Sequence, residues 1–200
     1  NIYRVDRVSK YFMKKLVWLP IDIPKFPISD FNLKTEVSWK YWDFTKLSET
    51  RNSSYSETIL KDNLDSRLYD WFAYFPFKNI RNIKFNIQKD IVREHIDFTS
   101  PDNDKQLFEN NSINEPCGYR ILIRGSRQGK LYVYKNEQKH YTVMPEDTDV
   151  YVLRHTDGLH GVDLEPNRTT IFTHFEIDGV KHRDLIEKSL YKYKDYAIYE

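Results

Sequence analysis

The fold is decided by residues 119–153, which read YRILIRGSRQGKLYVYKNEQKHYTVMPEDTDVYVL. Apolar and aromatic side chains alternate with polar ones in short runs, and each run is followed by residues such as glycine, asparagine, proline or aspartate. A period of two is typical of a strand, and the residues that follow the runs favour turns. The stretch therefore predicts four strands joined by short turns: Tyr119–Arg124, Leu131–Tyr134, His140–Val143 and Val150–Leu153.

Strand patterns continue on both sides of this stretch. Upstream, apolar residues alternate over Ile83–Ile87, and a further short strand is predicted around His95 and Asp97. Downstream, the alternation covers Thr169–Ile177. About seven short strands with short turns predict a mainly β domain, a barrel or sandwich of the jelly-roll type.

The flanks of this β region have other patterns. Leu16–Phe31 holds three prolines among apolar residues, which predicts an extended segment lying on the core rather than a helix. The aromatic stretch 39–44 predicts a strand or packed loop. Apolar residues then recur at a spacing of four, at Leu60, Leu64, Leu68 and Phe72. This spacing predicts a helix from about Ser56 to Ala73, and we expect a terminal helix over Arg183–Lys194.

Composition limits the classes of protein to be considered. The 200 residues suffice for one domain with a substantial core. Lys and Arg total 31 and Asp and Glu total 30, so the net charge of +1 favours neither a nucleic-acid nor an anionic membrane partner. The single cysteine, Cys117, favours a reducing compartment, and no apolar run approaches the ~18 residues of a membrane span. We expect a cytoplasmic protein with no membrane partner.

A candidate metal site begins at His95-Ile96-Asp97. Residues two apart on a strand point to the same face, so this histidine and carboxylate can bind one ion. A second imidazole is expected from a distant strand, and we assign it to His160. Two histidines and one carboxylate leave open coordination positions, an arrangement that favours non-haem Fe(II) and oxygen chemistry. Arg168, eight residues later, suits a carboxylate co-substrate because its guanidinium forms two parallel hydrogen bonds with a carboxylate.

Other assignments of the histidines remain open. His155 is the rival distal ligand, since it also lies near a predicted strand end. His140 and His182 are expected at the surface. The polar stretch 98–116 directly follows the candidate ligands, and long loops in compact domains are often functional, so we expect it to be a substrate-covering loop.

The ordered set of motifs resembles the Fe(II)/2-oxoglutarate-dependent oxygenases, and within them the aspartyl/asparaginyl hydroxylase-like branch that also contains proline hydroxylases. The resemblance covers roughly residues 83–178. It rests on these segments: His95-Ile96-Asp97, Arg120-Ile121-Leu122-Ile123, the stretch from Tyr151 to Val162 that holds His160-Gly161-Val162, Arg168-Thr169-Thr170 and Glu176-Ile177-Asp178.

The resemblance implies a role for each of these positions. His95, Asp97 and His160 would hold Fe(II), with 2-oxoglutarate and O2 in the remaining positions. Arg168 and Thr170 would bind the far carboxylate of 2-oxoglutarate. Arg120 matches a second co-substrate arginine, although the histidine that usually follows two residues later is Leu122 here.

The implied fold is a single-domain double-stranded β-helix (jelly-roll, cupin-like), mainly β with flanking helices. Its core would span residues 81–178, with residues 1–80 as an N-terminal segment and helix and residues 179–200 as a C-terminal helix. The implied function is hydroxylation of an unactivated carbon of an amino acid, free or in a peptide, with oxidative decarboxylation of 2-oxoglutarate to succinate. The carboxylate of Asp97 favours hydroxylation over halogenation.

Two alternatives stay open beside the oxygenase interpretation. A cupin without oxygenase activity would share the barrel, with or without the metal, but would not need Arg168 and Thr170. A structural or recognition jelly-roll module would need no metal. Signatures of phosphate-binding loops, G-x-S-x-G hydrolases and H-E-x-x-H zinc proteases do not occur in the sequence. The oligomeric state does not follow from the sequence.

Overall fold

The computed structural model describes residues 15–27, 54–59, 66–97, 115–156 and 158–200. Within these ranges the chain forms eleven strands and two helices. The strands are β1 Leu16–Pro20, β2 Ser54–Ile59, β3 Phe77–Gln88, β4 Val92–His95, β5 Gly118–Arg124, β6 Gln128–Lys135, β7 Gln138–Val143, β8 Val150–Leu153, β9 His160–Val162, β10 Thr169–Ile177 and β11 Ile198–Tyr199. The helices are α1 Ser66–Phe72 and α2 Gly179–Tyr193. The protein is therefore mainly β with flanking helices, as predicted.

The strands form two antiparallel sheets. The major sheet has seven strands in the order β11-β1-β8-β5-β10-β3-β2, and the minor sheet has four in the order β4-β9-β6-β7. Every strand pair within them is antiparallel. The arrangement is compatible with a β-sandwich. The predicted strands Val150–Leu153 and Thr169–Ile177 are confirmed with the same bounds.

Two hydrophobic clusters divide the molecule into layers. Because successive side chains of a strand point to opposite faces, β1, β5 and β8 of the major sheet contribute buried residues to both clusters. The first lies between the two sheets and contains Val17, Trp18, Leu122, Leu131, Val133, Met144, Tyr151 and Leu153. The second packs the opposite face of the major sheet against both helices, through residues such as Ile121, Val152, Ile171, Trp71 and Ile186.

The N-terminal part differs from the prediction in two places. Leu16–Pro20 is extended as expected, but it is a strand inside the major sheet, between β8 and β11, and all five of its residues are buried. The predicted helix Ser56–Ala73 is wrong over its first turn, because residues 54–59 form β2 and pair with β3. Its second half is confirmed as α1, which buries Leu68 and Phe72. The aromatic stretch 39–44 and most of the expected loop 98–116 lie outside the described residues.

The C-terminal helix begins four residues before its predicted start. Asp178 caps it, since its side chain accepts hydrogen bonds from the backbone N–H groups of Val180 and Lys181. The expectation that His182 lies at the surface is wrong, because its side chain is buried and its Nδ1 lies 2.9 Å from the hydroxyl of Tyr119. Neither described helix has the length and apolar character needed to cross a bilayer.

Candidate metal centre

The strand register brings the two candidate histidine ligands together. His95 is the last residue of β4 and pairs directly with His160, the first residue of β9. His160 pairs on its other side with Val133, which belongs to the cluster between the sheets. Since directly opposed residues in antiparallel strands project from the same face, both imidazoles lie on the inner face of the minor sheet. Their ring centroids are 4.4 Å apart.

Hydrogen bonds to the backbone fix the tautomer of both imidazoles. The Nδ1 atom of His95 lies 2.8 Å from the carbonyl oxygen of Arg93, and that of His160 lies 2.9 Å from the carbonyl oxygen of Gly158. A carbonyl oxygen only accepts, so each Nδ1 carries a proton. Each neutral ring then has its lone pair on Nε2, which is the usual arrangement of histidines that bind metals.

Asp97 completes the cluster from a position just beyond β4. Its backbone N–H donates to the carbonyl oxygen of His155 at 2.7 Å, which ties it to the segment after β8. Its Oδ1 atom lies 3.2 Å from Nε2 of His95 and 3.9 Å from Nε2 of His160. The predicted H-x-D pair thus converges, although Asp97 follows the strand instead of lying in it.

The dimensions of this cluster fit one small metal ion. One ligand atom from each of His95, Asp97 and His160 lies within 4.8 Å of the other two. Adjacent octahedral ligands at about 2.1 Å from a metal lie about 3 Å from each other. The lone pairs of Nε2 and Oδ1 would repel at the observed separations without a cation between them. Either a proton or a metal ion between these atoms would remove the repulsion, but only a metal ion can bind all three ligand atoms at once.

The electrostatic environment favours the ligating protonation states. Burial lowers the pKa of His160 to about 4, so its ring is neutral at neutral pH. Burial alone would raise the pKa of Asp97, but a hydrogen bond from Nε2 of His95, when that atom carries a proton, and the charge of Arg120 outweigh burial and hold that pKa well below its usual value. At neutral pH the cluster therefore offers a neutral imidazole and a carboxylate.

Arg120 lies beside the cluster on the facing sheet. Its Nη2 donates to Oδ2 of Asp97 at 2.9 Å, and its Nη1 donates to the carbonyl oxygen of Tyr119 at 3.1 Å. The guanidinium carbon lies 4.0 Å from the ring centroid of Phe172, the residue paired with Arg120 across β5 and β10. Arg120 is thus hydrogen-bonded to Asp97, a candidate metal ligand, whereas the sequence resemblance implies that it binds the co-substrate.

The predicted carboxylate-binding residues lie at the beginning of β10 and directly before it. Arg168 is buried and lines a small cavity with residues of both sheets, among them Leu122, Leu131 and Tyr151. Thr170 is also buried and pairs with Leu122. Among the described residues, the buried Nε atom of Arg168 has no hydrogen-bond partner, and neither has Oε2 of Glu165, which lies 3.8 Å away.

The register relates this cavity to the metal cluster. On the major sheet, the cavity residue Leu122 lies two positions after Arg120 on β5. On the minor sheet, the cavity residue Leu131 lies two positions before Val133, the partner of His160. In both sheets the cavity therefore begins two residues along the strand from the cluster, a distance of about 6.7 Å on the same face of the sheet.

Sequence reasoning overlooked Phe172 and Glu165, and it considered His155 only for its side chain. Phe172 supports Arg120, Glu165 faces Arg168, and the main chain of His155 holds Asp97. Phe172 lies two residues after Thr170 on β10, so the alternation of this strand predicts that both side chains face the site. The contacts of Glu165 and His155 depend on turns whose geometry the sequence does not reveal. The side chain of His155 does not belong to the group whose ligand atoms converge.

A comparison of the chain with protein-family models finds no match, and no curated protein matches it significantly.

Proposed function

We propose that this protein is an Fe(II)/2-oxoglutarate-dependent dioxygenase that hydroxylates an unactivated carbon of an amino acid, free or within a peptide. The observation that carries the proposal is the convergence of His95, Asp97 and His160 on one point between the sheets. Two imidazoles and one carboxylate occupy one face of a metal and leave the other positions for co-substrate and oxygen.

We further propose that the fold is a double-stranded β-helix. A jelly roll results when a long antiparallel hairpin of eight strands is rolled up, so that strand one pairs with eight, two with seven, three with six and four with five. The eight strands from β3 to β10 have this pairing: β3 with β10, β4 with β9, β5 with β8 and β6 with β7. The metal cluster then lies on the second and seventh of these strands, inside the roll.

Arg168 and Thr170 would bind the distal carboxylate of 2-oxoglutarate. The guanidinium of Arg168 is buried, lines the cavity, and has a single described ion-pair partner in Glu165. A buried charge that is incompletely paired favours binding of an oppositely charged ligand, since the ligand supplies hydrogen bonds that water cannot. The cavity begins two residues along the strand from the cluster, a separation that a short dicarboxylic acid could span between Arg168 and the metal once this small cavity widens to admit it.

Iron, when bound, would supply the redox chemistry that couples decarboxylation of 2-oxoglutarate to succinate with insertion of an oxygen atom into a C–H bond. The chain itself would hold the metal on one face, orient the 2-oxo acid through Arg168, and exclude water with the apolar residues between the sheets. Asp97 occupies the coordination position that would otherwise be open to a halide, which supports hydroxylation.

A thermal-shift experiment separates this function from its two alternatives. With Mn(II) as a redox-inert substitute, the metal should raise the melting temperature, and 2-oxoglutarate should raise it further only when metal is present. His160→Ala should abolish both increments, and Arg168→Ala only the second. A metal increment without a 2-oxoglutarate increment would indicate a cupin without oxygenase activity. No increment from either would indicate a structural or recognition module.

A further inference from the structure

Asp97 presents its two carboxylate oxygens to different partners. Oδ1 faces the Nε2 atoms of His95 and His160, at 3.2 and 3.9 Å. Oδ2 faces the other way and accepts a hydrogen bond from Nη2 of Arg120 at 2.9 Å. Oδ1 is therefore available to bind a metal, whereas Oδ2 is engaged by Arg120.

Arg120 is itself held in place by the major sheet. Its side chain is only 10% exposed, and its Nη1 donates to the carbonyl oxygen of Tyr119. The guanidinium lies over the ring of Phe172, 4.0 Å from the centroid, in the geometry of a cation–π contact. The pairing of β5 with β10 places that ring opposite Arg120. The guanidinium is thus fixed by backbone, ring and carboxylate together.

Asp97 has fewer constraints of its own. It lies beyond the end of β4, and its main chain is tied to the rest of the described structure by the hydrogen bond from its N–H to His155. This bond positions the backbone but leaves the side-chain torsions unset. Among the described residues, Arg120 is the one that binds Oδ2.

We propose that Arg120 is a positioning residue that holds Asp97 as a ligand through one oxygen only, which deepens and rests on the proposed oxygenase function. A carboxylate that binds through both oxygens would occupy an additional coordination position. With Oδ2 retained by Arg120, Asp97 would supply one ligand atom to the metal, and the three ligands from the chain would leave room for the 2-oxo acid and oxygen. This role differs from direct binding of the co-substrate, which the sequence resemblance implies for Arg120.

The test measures the affinity of the purified protein for Co(II) by calorimetry. Arg120→Gln should weaken Co(II) binding by about 10- to 100-fold, the usual cost of removing a residue that orients a metal ligand. Arg127→Gln is the matched control, because it makes the same substitution at an arginine whose described ion pairs are to Glu146 and Asp149 and not to a candidate metal ligand. This control should change Co(II) affinity by less than about threefold.

A double-mutant cycle distinguishes positioning from a general loss of structure. If Arg120 acts through Asp97, Arg120→Gln should have no further effect on Co(II) affinity once Asp97 is replaced by Ala. Circular dichroism and the melting temperature of the metal-free variants report whether each one folds, and Arg120→Lys restores a donor if the glutamine variant does not fold.

The outcomes separate this inference from the proposed function. Co(II) affinity equal to wild type in Arg120→Gln, with weakened 2-oxoglutarate binding, would overturn the positioning role and leave the oxygenase function standing. Additive effects of Arg120→Gln and Asp97→Ala would overturn it as well. Absence of Co(II) binding by the folded wild type would instead overturn the proposed function.

Discussion

His95 and His160 face each other directly across β4 and β9, with their ring centroids 4.4 Å apart. Both ligand histidines are therefore set by the register of one strand pair, and a slip of one strand by one residue would turn its ring to the opposite face of the sheet. Asp97, by contrast, lies outside the strands and depends on contacts with the opposite sheet. The candidate centre combines two ligands fixed by strand pairing with one fixed by side-chain contacts.

Replacing His160 by alanine should reduce Co(II) affinity at least about 100-fold, because one of the three metal ligands is lost. His95 cannot compensate, since it already serves as the other histidine ligand. His155→Gln is the control, since His155 is partly buried and its main chain holds Asp97, but its side chain lies outside the converging group. Calorimetric titration of both variants with Co(II) provides the comparison. A loss of affinity in His155→Gln as large as that in His160→Ala would instead make His155 the distal ligand.

Replacing Arg168 by alanine should weaken binding of 2-oxoglutarate to the Mn(II)-loaded protein by at least about tenfold, since a charge-assisted pair is removed. Affinity for Mn(II) itself should be unchanged. Arg124→Ala serves as the comparison, because Arg124 is exposed and lies on the same strand as the cavity residue Leu122. Equal effects of the two substitutions on the dissociation constant would show that Arg168 does not bind the co-substrate.

Replacing Gly161 by alanine should destabilise the protein by about 1–3 kcal/mol through overpacking. A Cβ atom there would collide with the hydroxyl of Tyr132 and would lie 2.8 Å from the carbonyl oxygen of Val92. Because Gly161 follows His160, Co(II) affinity should fall as well. Urea unfolding measures the effect, and Tyr132→Phe in the same background should recover part of the lost stability. No recovery would place the strain at Cζ of Tyr132, which phenylalanine retains, and at the carbonyl oxygen of Val92.

The stability of the metal-free protein should fall as the pH drops from about 6.5 toward 4. Burial lowers the pKa values of His155, His160 and His182 to about 4, from 6.5. Between these values the unfolded chain binds more protons than the folded protein, so protonation favours unfolding. Each group contributes at most about 1.4 kcal/mol per pH unit.

Urea unfolding at about pH 7, 6 and 5 checks this dependence. His182→Gln should flatten the profile without touching the metal cluster, since His182 lies on α2 and contacts Tyr119. A wild-type free energy of unfolding that is constant over this range would contradict the assignment of neutral buried histidines.

The strands between residues 118 and 177 were largely readable from sequence because their alternation and turn residues agree. The strand β2 was not, since its pairing with β3 is a long-range contact, and the apolar residues at a spacing of four suggested a helix that started too early. Leu16–Pro20 was recognised as extended, but its place inside the major sheet depends on partners more than 130 residues away, such as Trp18 with Leu153.

The candidate ligands could be predicted from the sequence because each belongs to a short motif that is typical of metal binding. Spacing along the chain suggested that His95 and Asp97 share a face, and the structure brings them together with His160. The contact between Arg120 and Asp97 was not readable, since it joins two sheets and no sequence pattern encodes such a contact. The support of Arg120 by Phe172 depends on the register of β5 and β10, which alternation alone does not set.

The most direct test of the proposed function is made without oxygen. Fe(II) and then 2-oxoglutarate are added to the purified protein, and the visible charge-transfer band of a chelated 2-oxo acid is recorded. The band should appear in the wild type, be absent in His160→Ala and be weaker in Arg168→Ala. A folded wild-type protein that binds no iron, or binds iron without producing this band, would contradict the assignment as a 2-oxoglutarate-dependent oxygenase.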